Sequence, residues 1–336
     1  MSSEARTTQA LIDELVQSTG AADAPDAIRW RARALMRRFV EQFGEPETPI
    51  GIDVLASLQG IHRSEERPVQ SPDAELVPDG QGGVTMRVNP DRPETRQRFS
   101  VAHEISHTFF PNYASKTWCR TDSRYRDRSN PDEYLEMLCD IGAAELLFPQ
   151  PWFSQQADVV SDAAGLIALA TTFQASREAT LRRYAEMSSE SLAAVFFTWK
   201  LKPSQKGVIG NTQQSNFLDI TPEQELHEAL RLRIEYSIAS AAFRRDGLFL
   251  PPDKSVENDG PIYRAASTGL PVDEECFIDI GQSSGTYRVS AIPLWTGDDQ
   301  LGSKGENTVA AVVRPLSIRR LPRRSTGVNA PTLFVD

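Results

Sequence analysis

Apolar residues recur at helical spacing between Ala27 and Phe43, where Ile28, Leu35, Phe39 and Phe43 mark one side. The other side carries Arg29, Arg31, Arg33, Arg37 and Arg38. This pattern predicts an amphipathic helix with one core-facing stripe and a solvated basic face. Before it, residues 1–25 read as a polar leader with a short helix at Ala10 to Gln17, and after it Pro49 to Leu58 reads as a second amphipathic helix. Val84 to Asn89 alternates apolar and polar positions and stops at Pro90, which predicts a strand; at a sheet edge it would offer an extended peptide a place to pair. Phe99, Ala102, Ser106 and Phe110 then recur at helical spacing, with Asp91 as a cap, Pro93 in the first turn and Pro111 as the stop. Asn130-Pro131-Asp132-Glu133 opens a further helix that runs to Pro149.

Downstream, Asp162 to Thr172 and Arg177 to Met187 predict two helices joined by a short turn, an arrangement resembling a helix-turn-helix. The packed reading of this pair is preferred to a DNA-reading one. Leu192 to Lys200 predicts a strand, residues 201–216 a polar linker, and Pro222 to Phe243 a long helix. Cys276 to Ile280, Thr286 to Ile292 and Thr308 to Val313 predict three strands, the first two forming a hairpin.

At 336 residues the chain is long for one domain, and its formal charge of -10 argues against a general nucleic-acid coat while leaving room for a local basic patch. Three widely spaced cysteines, Cys119, Cys139 and Cys276, fit a reducing cytoplasm better than a disulfide framework. No apolar run reaches membrane-spanning length, so no membrane partner is expected, and the polar start has no signal-peptide core.

Chemistry concentrates at Arg98-Phe-Ser-Val-Ala-His-Glu-Ile-Ser-His107. Two of the chain's four histidines, His103 and His107, stand four apart with Glu104 directly after the first. On a helix both imidazoles share a face and reach one metal ion, while Glu104 points toward the ion's open side, where a general base belongs. Zinc suits two imidazoles and a carboxylate, and it lowers the pKa of bound water to about 7. On the next helix Glu136 is the preferred third ligand, and Asp140, one turn on, is placed to hold the outer nitrogen of a ligating histidine. Glu145 is the competing carboxylate, read instead as solvated or helix-packing.

These two segments, the second reading Glu136-x-x-Cys-Asp-x-Gly-Ala-Ala-Glu-Leu-Leu-Phe-Pro149, resemble the ImmA/IrrE type of zinc metallopeptidase. Departures from that pattern are Cys139 for Ala, Asp140 for Asn and Gly142 for Phe, the last leaving space that another side chain must fill. The resemblance implies an α+β fold: a zincin-like metallopeptidase domain with an active-site helix and small sheet, followed by a smaller α/β sensor-like domain of GAF or PAS kind. The expected boundaries are a leader at 1–25, the peptidase at 26–200 including the helix pair at 162–187, a linker at 201–216, a sensor at 217–325 and a tail at 326–336. It also implies cleavage of a small helix-turn-helix repressor in a stress, DNA-damage or phage-defence response. The competing reading is a DNA-binding regulator built on a degenerate peptidase.

Two further features bear on regulation. Cys119 lies in the long loop between the ligand helices, and a thiolate there could take the fourth zinc position and hold the enzyme inactive. Arg314, Arg319, Arg320, Arg323 and Arg324 form a basic cluster in an acidic chain, a candidate site for single-stranded DNA with Tyr287 or Trp295 as stacking partners, or else an intramolecular brace.

Overall fold

Asp23 starts the arginine-rich helix by accepting a hydrogen bond from the Asp26 amide, Pro25 sits in its first turn, and Gly44 ends it in a positive-φ conformation that glycine adopts without strain. A computed structural model describes residues 3–63, 73–115, 117–119, 127–202, 229–279, 283–294, 308–320 and 334–335. The chain divides into two compact units, Met1–Gln156 with Leu169–Ser176, and Ala157–Ala168 with Arg177–Asp336.

The first unit contains α1 (Ser3–Thr19), α2 (Ala24–Phe43), α3 (Ile52–Leu58), β1 (Ile61–Arg63), β2 (Ala74–Pro78), β3 (Val84–Val88), α4 (Glu94–His107), β4 (Trp118–Cys119), α5 (Pro131–Leu147) and α6 (Trp152–Ala157), the last residue of α6 falling to the second unit. The leader is therefore mostly helix, longer than the short segment expected. Its polar composition hides a sufficient anchor: Ile12 and Leu15 are buried, and the Thr8 hydroxyl donates to Asp132 at the start of α5 over 2.6 Å. The basic face of α2 is likewise only partly solvated. Arg29 and Arg33 reach Glu145 on α5 at 3.7 and 3.3 Å, and Glu145 is itself buried, so of the two readings it is the helix-packing one and not a solvated one.

Strands β1, β3, β2 and β4 form a sheet in that order, with β1 parallel to β3 and the other pairs antiparallel. Strand β3, expected as a possible edge, is thus interior, because β1 and β2 take both its hydrogen-bonding sides. The outer side of β2 is occupied by β4, which pairs Cys119 with Glu75 and Trp118 with Leu76.

Every residue of α4 from Ser100 to His107 is buried, which is the environment of a helix enclosed by neighbours on all sides rather than one with a wet face. Its start differs from the expected cap. Pro93 occupies the cap position with no side-chain bond, while Arg92 and Arg96 hold the buried Asp73 carboxylate at 2.7 and 2.6 Å and tie the first turn to the sheet. Asn130 caps α5 as the sequence indicates, accepting from the Asp132 amide.

In the second unit, α7 (Ala163–Thr172) begins on this side of the division and ends on the other, and it is followed by α8 (Arg177–Met187), β5 (Ala193–Lys200), β6 (Arg231–Ala239), α9 (Ala241–Arg245), β7 (Ser255–Val256), α10 (Pro261–Thr268), β8 (Val272–Asp279), β9 (Ser283–Pro293), β10 (Val309–Arg320) and β11 (Phe334–Val335). The strands form one antiparallel sheet in the order β11-β7-β6-β5-β10-β9-β8. The long helix expected at Pro222 to Phe243 is instead β6 and the short α9 across its described part. Leu232 and Ile234 alternate with Arg231, Arg233 and Glu235, a period of two that pairing with β5 satisfies. The strand at Leu192 to Lys200 also changes allegiance: as β5 it lies between β6 and β10, so the division precedes it instead of following residue 200. The three predicted C-terminal strands are present as β8, β9 and β10.

One face of this sheet closes a core in which Val195, Phe197, Ile234, Val289 and Ala311 meet Ile262 and Ala265 of α10. On the other face Phe196 stacks on Tyr236, whose hydroxyl donates to Glu178 of α8. The unit is mixed α/β, with a helix on each face. The expected helix-turn-helix pair does not present a reading helix. Thr180, Leu181, Arg183, Tyr184 and Ala185 of α8 are buried, Arg177 donates to the Pro293 carbonyl over 2.6 Å, and Arg182 lies 5.7 Å from the Tyr236 ring centroid. The proposed linker falls, beyond residue 202, outside the described residues.

Gly142 explains how α4 and α5 approach. A Cβ built there would stand 2.4 Å from the Ser106 hydroxyl oxygen, 2.9 Å from its Cβ and 3.2 Å from Ile28. The space that a larger residue fills in the family pattern is occupied here by those two side chains. Gly142→Ala should therefore lower stability by about 1–3 kcal/mol through overpacking, and Gly142→Ala combined with Ser106→Gly should recover most of it. An unchanged denaturation midpoint in the single variant would contradict this packing.

Candidate metal centre

Helix α4 presents His103, Glu104 and His107, and α5 presents Glu136, Cys139 and Asp140 along the facing turn. The two histidines are fully buried with ring centroids 5.0 Å apart, as one helical turn requires. Glu136 turns its carboxylate to both: Oε2 is 3.2 Å from His103 Nε2, and Oε1 is 3.5 Å from His107 Nε2. Glu104 is completely buried beside them, both carboxylate oxygens enclosed.

The outer ring nitrogens are held as well. His103 Nδ1 lies 2.9 Å from Asp140 Oδ1, and His107 Nδ1 lies 3.4 Å from Cys139 Sγ. His103, His107 and Cys139 by themselves bring three ligand atoms within 4.8 Å of one another, an alternative metal set. The geometry favours Glu136 over Cys139 as the third ligand. Cys139 faces His107 Nδ1, whereas the Glu136 oxygens face the Nε2 atoms of both rings. Two imidazoles and a carboxylate with both rings anchored from behind are a donor set suited to zinc.

Opposing forces act on the His103 proton. Burial alone would push its pKa down, but the hydrogen bonds and negative charges of Asp140 and Glu136, one at each ring nitrogen, outweigh that and raise it from 6.5 to about 9. Both carboxylates thus favour the protonated ring. A metal ion entering at Nε2 must displace that proton.

Residues 53–184 match the family model of the IrrE N-terminal-like domain, Peptidase M78. Over that segment the chain is similar to the ImmA/IrrE type of metallopeptidase. Over 187 residues it is 29% identical to the radiation response metalloprotease IrrE of Deinococcus deserti, a match that takes in 56% of this chain and 58% of that protein, so the chain spans little more than half of the relative's length. A solved structure described as a Mycobacterium tuberculosis transcriptional regulator shares the fold, with TM-score 0.50 and 14% identity over 85% of this chain and 75% of that one. The ImmA/IrrE match covers the two ligand-bearing helices, α4 and α5, on which the sequence resemblance rested.

Two contacts in this candidate site escaped the sequence. Cys139, noted in the sequence only as a departure from the family pattern, is the partner of His107's outer nitrogen; its place three residues after Glu136 and one before Asp140 was the available signal. Trp118 on β4 stacks on the His107 ring at 4.6 Å with 26° between planes, and its indole N–H donates to the Tyr113 carbonyl over 2.6 Å. Nothing in the linear order marked that residue. Cys119 is placed by its backbone in β4, next to Trp118, while its side chain lies outside the described residues.

Of the C-terminal arginines, Arg314 is the one whose side chain is described. Arg314 is a brace within its own unit, donating to the Tyr184 hydroxyl over 2.6 Å and the Val160 carbonyl over 3.3 Å, with Glu190 at 3.6 Å. Arg319 and Arg320 are placed by backbone alone, opposite Ser284 and Ser283, and Arg323, Arg324 and Trp295 lie outside the described residues. Tyr287, offered as a stacking partner, is buried in the sheet core. Among the described residues no helix is long and apolar enough to cross a membrane.

The raised His103 pKa sets a pH dependence. The charged ring stabilises the metal-free fold fully below about 6.5, and that contribution is lost as pH rises through about 9. Zinc affinity should move the opposite way, rising across the same window as the competing proton leaves. Asp140→Asn should flatten both trends and weaken zinc binding by roughly 10–100-fold. Calorimetric titration with zinc at several pH values, beside thermal scans of the metal-free protein, checks this; a pH-independent affinity would contradict it.

Proposed function

We propose that the chain is a zinc-dependent endopeptidase. The observation that carries this reading is the Glu136 carboxylate facing the Nε2 atoms of both His103 and His107, with Glu104 enclosed beside them. A zinc ion held by His103, His107 and Glu136 would supply Lewis acidity, polarising a scissile carbonyl and acidifying water. Glu104 takes a proton from the attacking water as the oxygen–carbon bond forms, and gives it to the amine as the carbon–nitrogen bond breaks, so that the side chain ends in its starting state. Asp140 fixes the His103 ring and Cys139 the His107 ring, which spares the centre any reorganisation on binding.

The substrate we propose is a small helix-turn-helix repressor, cleaved in a stress, DNA-damage or phage-defence response, with the second unit acting as a sensor-like module. Support comes from the name of the Deinococcus relative, a radiation response metalloprotease, and from a second unit with its own core. Activation by single-stranded DNA and restraint by Cys119 on zinc belong to the same proposal and are separate arms of its test. The alternative, a DNA-binding regulator, finds less support, since Arg177 and Arg182 of α8 are engaged within its unit.

Glu104→Gln should leave fold and zinc content intact while reducing cleavage of such a repressor by at least about 10³-fold, the scale of losing a general base together with its charge. The measurement is an electrophoretic cleavage assay with and without chelator and oligonucleotide, alongside metal analysis. Undiminished cleavage by the variant would remove Glu104 from the role given to it. Cys119→Ala should raise basal cleavage if the thiolate restrains the zinc, and equal rates would dispose of that restraint.

A further inference from the structure

The first unit holds a cavity of about 450 Å³ at the C-terminal end of α4, lined in part by the residues that follow His107. Its walls are Trp30, Arg31 and Arg38 of α2, Gln59, and the segment from Thr108 to Tyr113 that directly follows His107. The volume lies in the range of small-molecule sites and accommodates a base, a sugar and a phosphate.

The wall chemistry selects a planar anion. Trp30 is 44% exposed, and the guanidinium carbon of Arg31 in the same wall lies 5.6 Å from its ring centroid, with that of Arg37, outside the wall, at 6.0 Å. An exposed indole flanked by cations is a stacking platform, and every nucleobase offers it a π-face. Arg31 is steadied by one bond to the Ser18 hydroxyl, and Arg38 by bonds to the Leu58 carbonyl and the Gln59 side chain. Each guanidinium has five N–H donors, so both keep capacity for a phosphate after these contacts. Glu14 is the acidic residue of the wall, leaving the pocket net positive in a chain of net charge -10.

The floor of this cavity leads to the metal centre by two routes. Gln59 donates to the Thr108 hydroxyl over 3.2 Å, and Thr108 is the residue after His107. Tyr113, at the other end of the floor, accepts from the Trp118 indole that covers the His107 ring.

We propose that this cavity is an effector site for a nucleoside phosphate, with the base on Trp30 and the phosphate on Arg31 and Arg38, and that occupancy alters how Thr108–Tyr113 holds Trp118 over His107. Binding is independent of the peptidase reading; only its effect on cleavage rests on that reading.

Titration of the full chain with ATP and, separately, GTP tests it. Saturable binding of at least one is expected, weakened at least about tenfold by Trp30→Ala and by Arg38→Glu, but retained in Arg33→Ala and in Glu104→Gln. Trp30→Phe, which keeps a ring, should lose less than Trp30→Ala, and matched melting curves establish that the variants are folded. Hydrogen exchange at residues 108–119 should slow when nucleotide is bound. No saturable binding of either nucleotide at millimolar concentration would overturn the proposal, as would binding indifferent to Trp30 and Arg38. Binding of an oligothymidylate through these residues without either nucleotide would overturn it in favour of a strand-binding groove. Nucleotide binding with unchanged exchange at 108–119 would overturn the coupling. A protein that binds nucleotide as expected and cleaves nothing would refute the peptidase reading alone.

Discussion

A histidine ring sealed from water between two carboxylates is the constraint on which the first unit is built. Burying an imidazole is unfavourable to its charged form, and His103 tolerates it because Asp140 and Glu136 occupy both ring nitrogens. Both partners come from α5, so that helix must lie close along α4 with its turns in step. That requirement reaches outward. Gly142 has no side chain where Ser106 passes, α4 is buried along its functional half, and Asp73 pins the helix start to the sheet through Arg92 and Arg96.

The same geometry assigns each neighbour its work. Asp140 and Cys139 stand behind the two rings and fix their orientation, leaving the Nε2 atoms directed at Glu136. A thiol is a weaker hydrogen-bond partner than a carboxylate, so the two histidines are held unequally: His103 by charge, His107 by the sulfur and by the stacked Trp118. The softer hold falls on the histidine that adjoins Thr108 and the floor of the cavity beneath Trp30. Sensitivity to events in that cavity is therefore best placed at His107.

Charge is distributed by unit and by layer more than the linear sequence suggests. Arginines that look like a solvated stripe on α2 split between a buried carboxylate, Glu145, and the exposed Trp30. Arg314, which looks like part of a basic tail, is spent on Tyr184 and the Val160 and Ser161 carbonyls, and Arg177 and Arg182 of α8 are engaged with its own sheet. A long guanidinium has enough donors to satisfy distant carbonyls, so its sequence neighbourhood is a poor guide to its partner.

What the sequence determined by itself was local. The spacing of His103, Glu104 and His107, the cap at Asn130 and the one-turn offset of Glu136 and Asp140 are fixed by helical geometry, so the candidate site was legible without any fold. The strands of strict alternation, such as Thr286 to Ile292, were legible for the same reason. Tertiary structure alone decided the rest. Whether Arg231 to Ala239 is strand or helix depended on β5 offering a partner, whether β3 is an edge depended on β1 and β2, and the contact of Trp118 with His107 depended on β4 pairing with β2. Those outcomes are set by hydrogen bonds and packing between segments far apart in the chain, and no window of neighbouring residues contains the energy that chooses them.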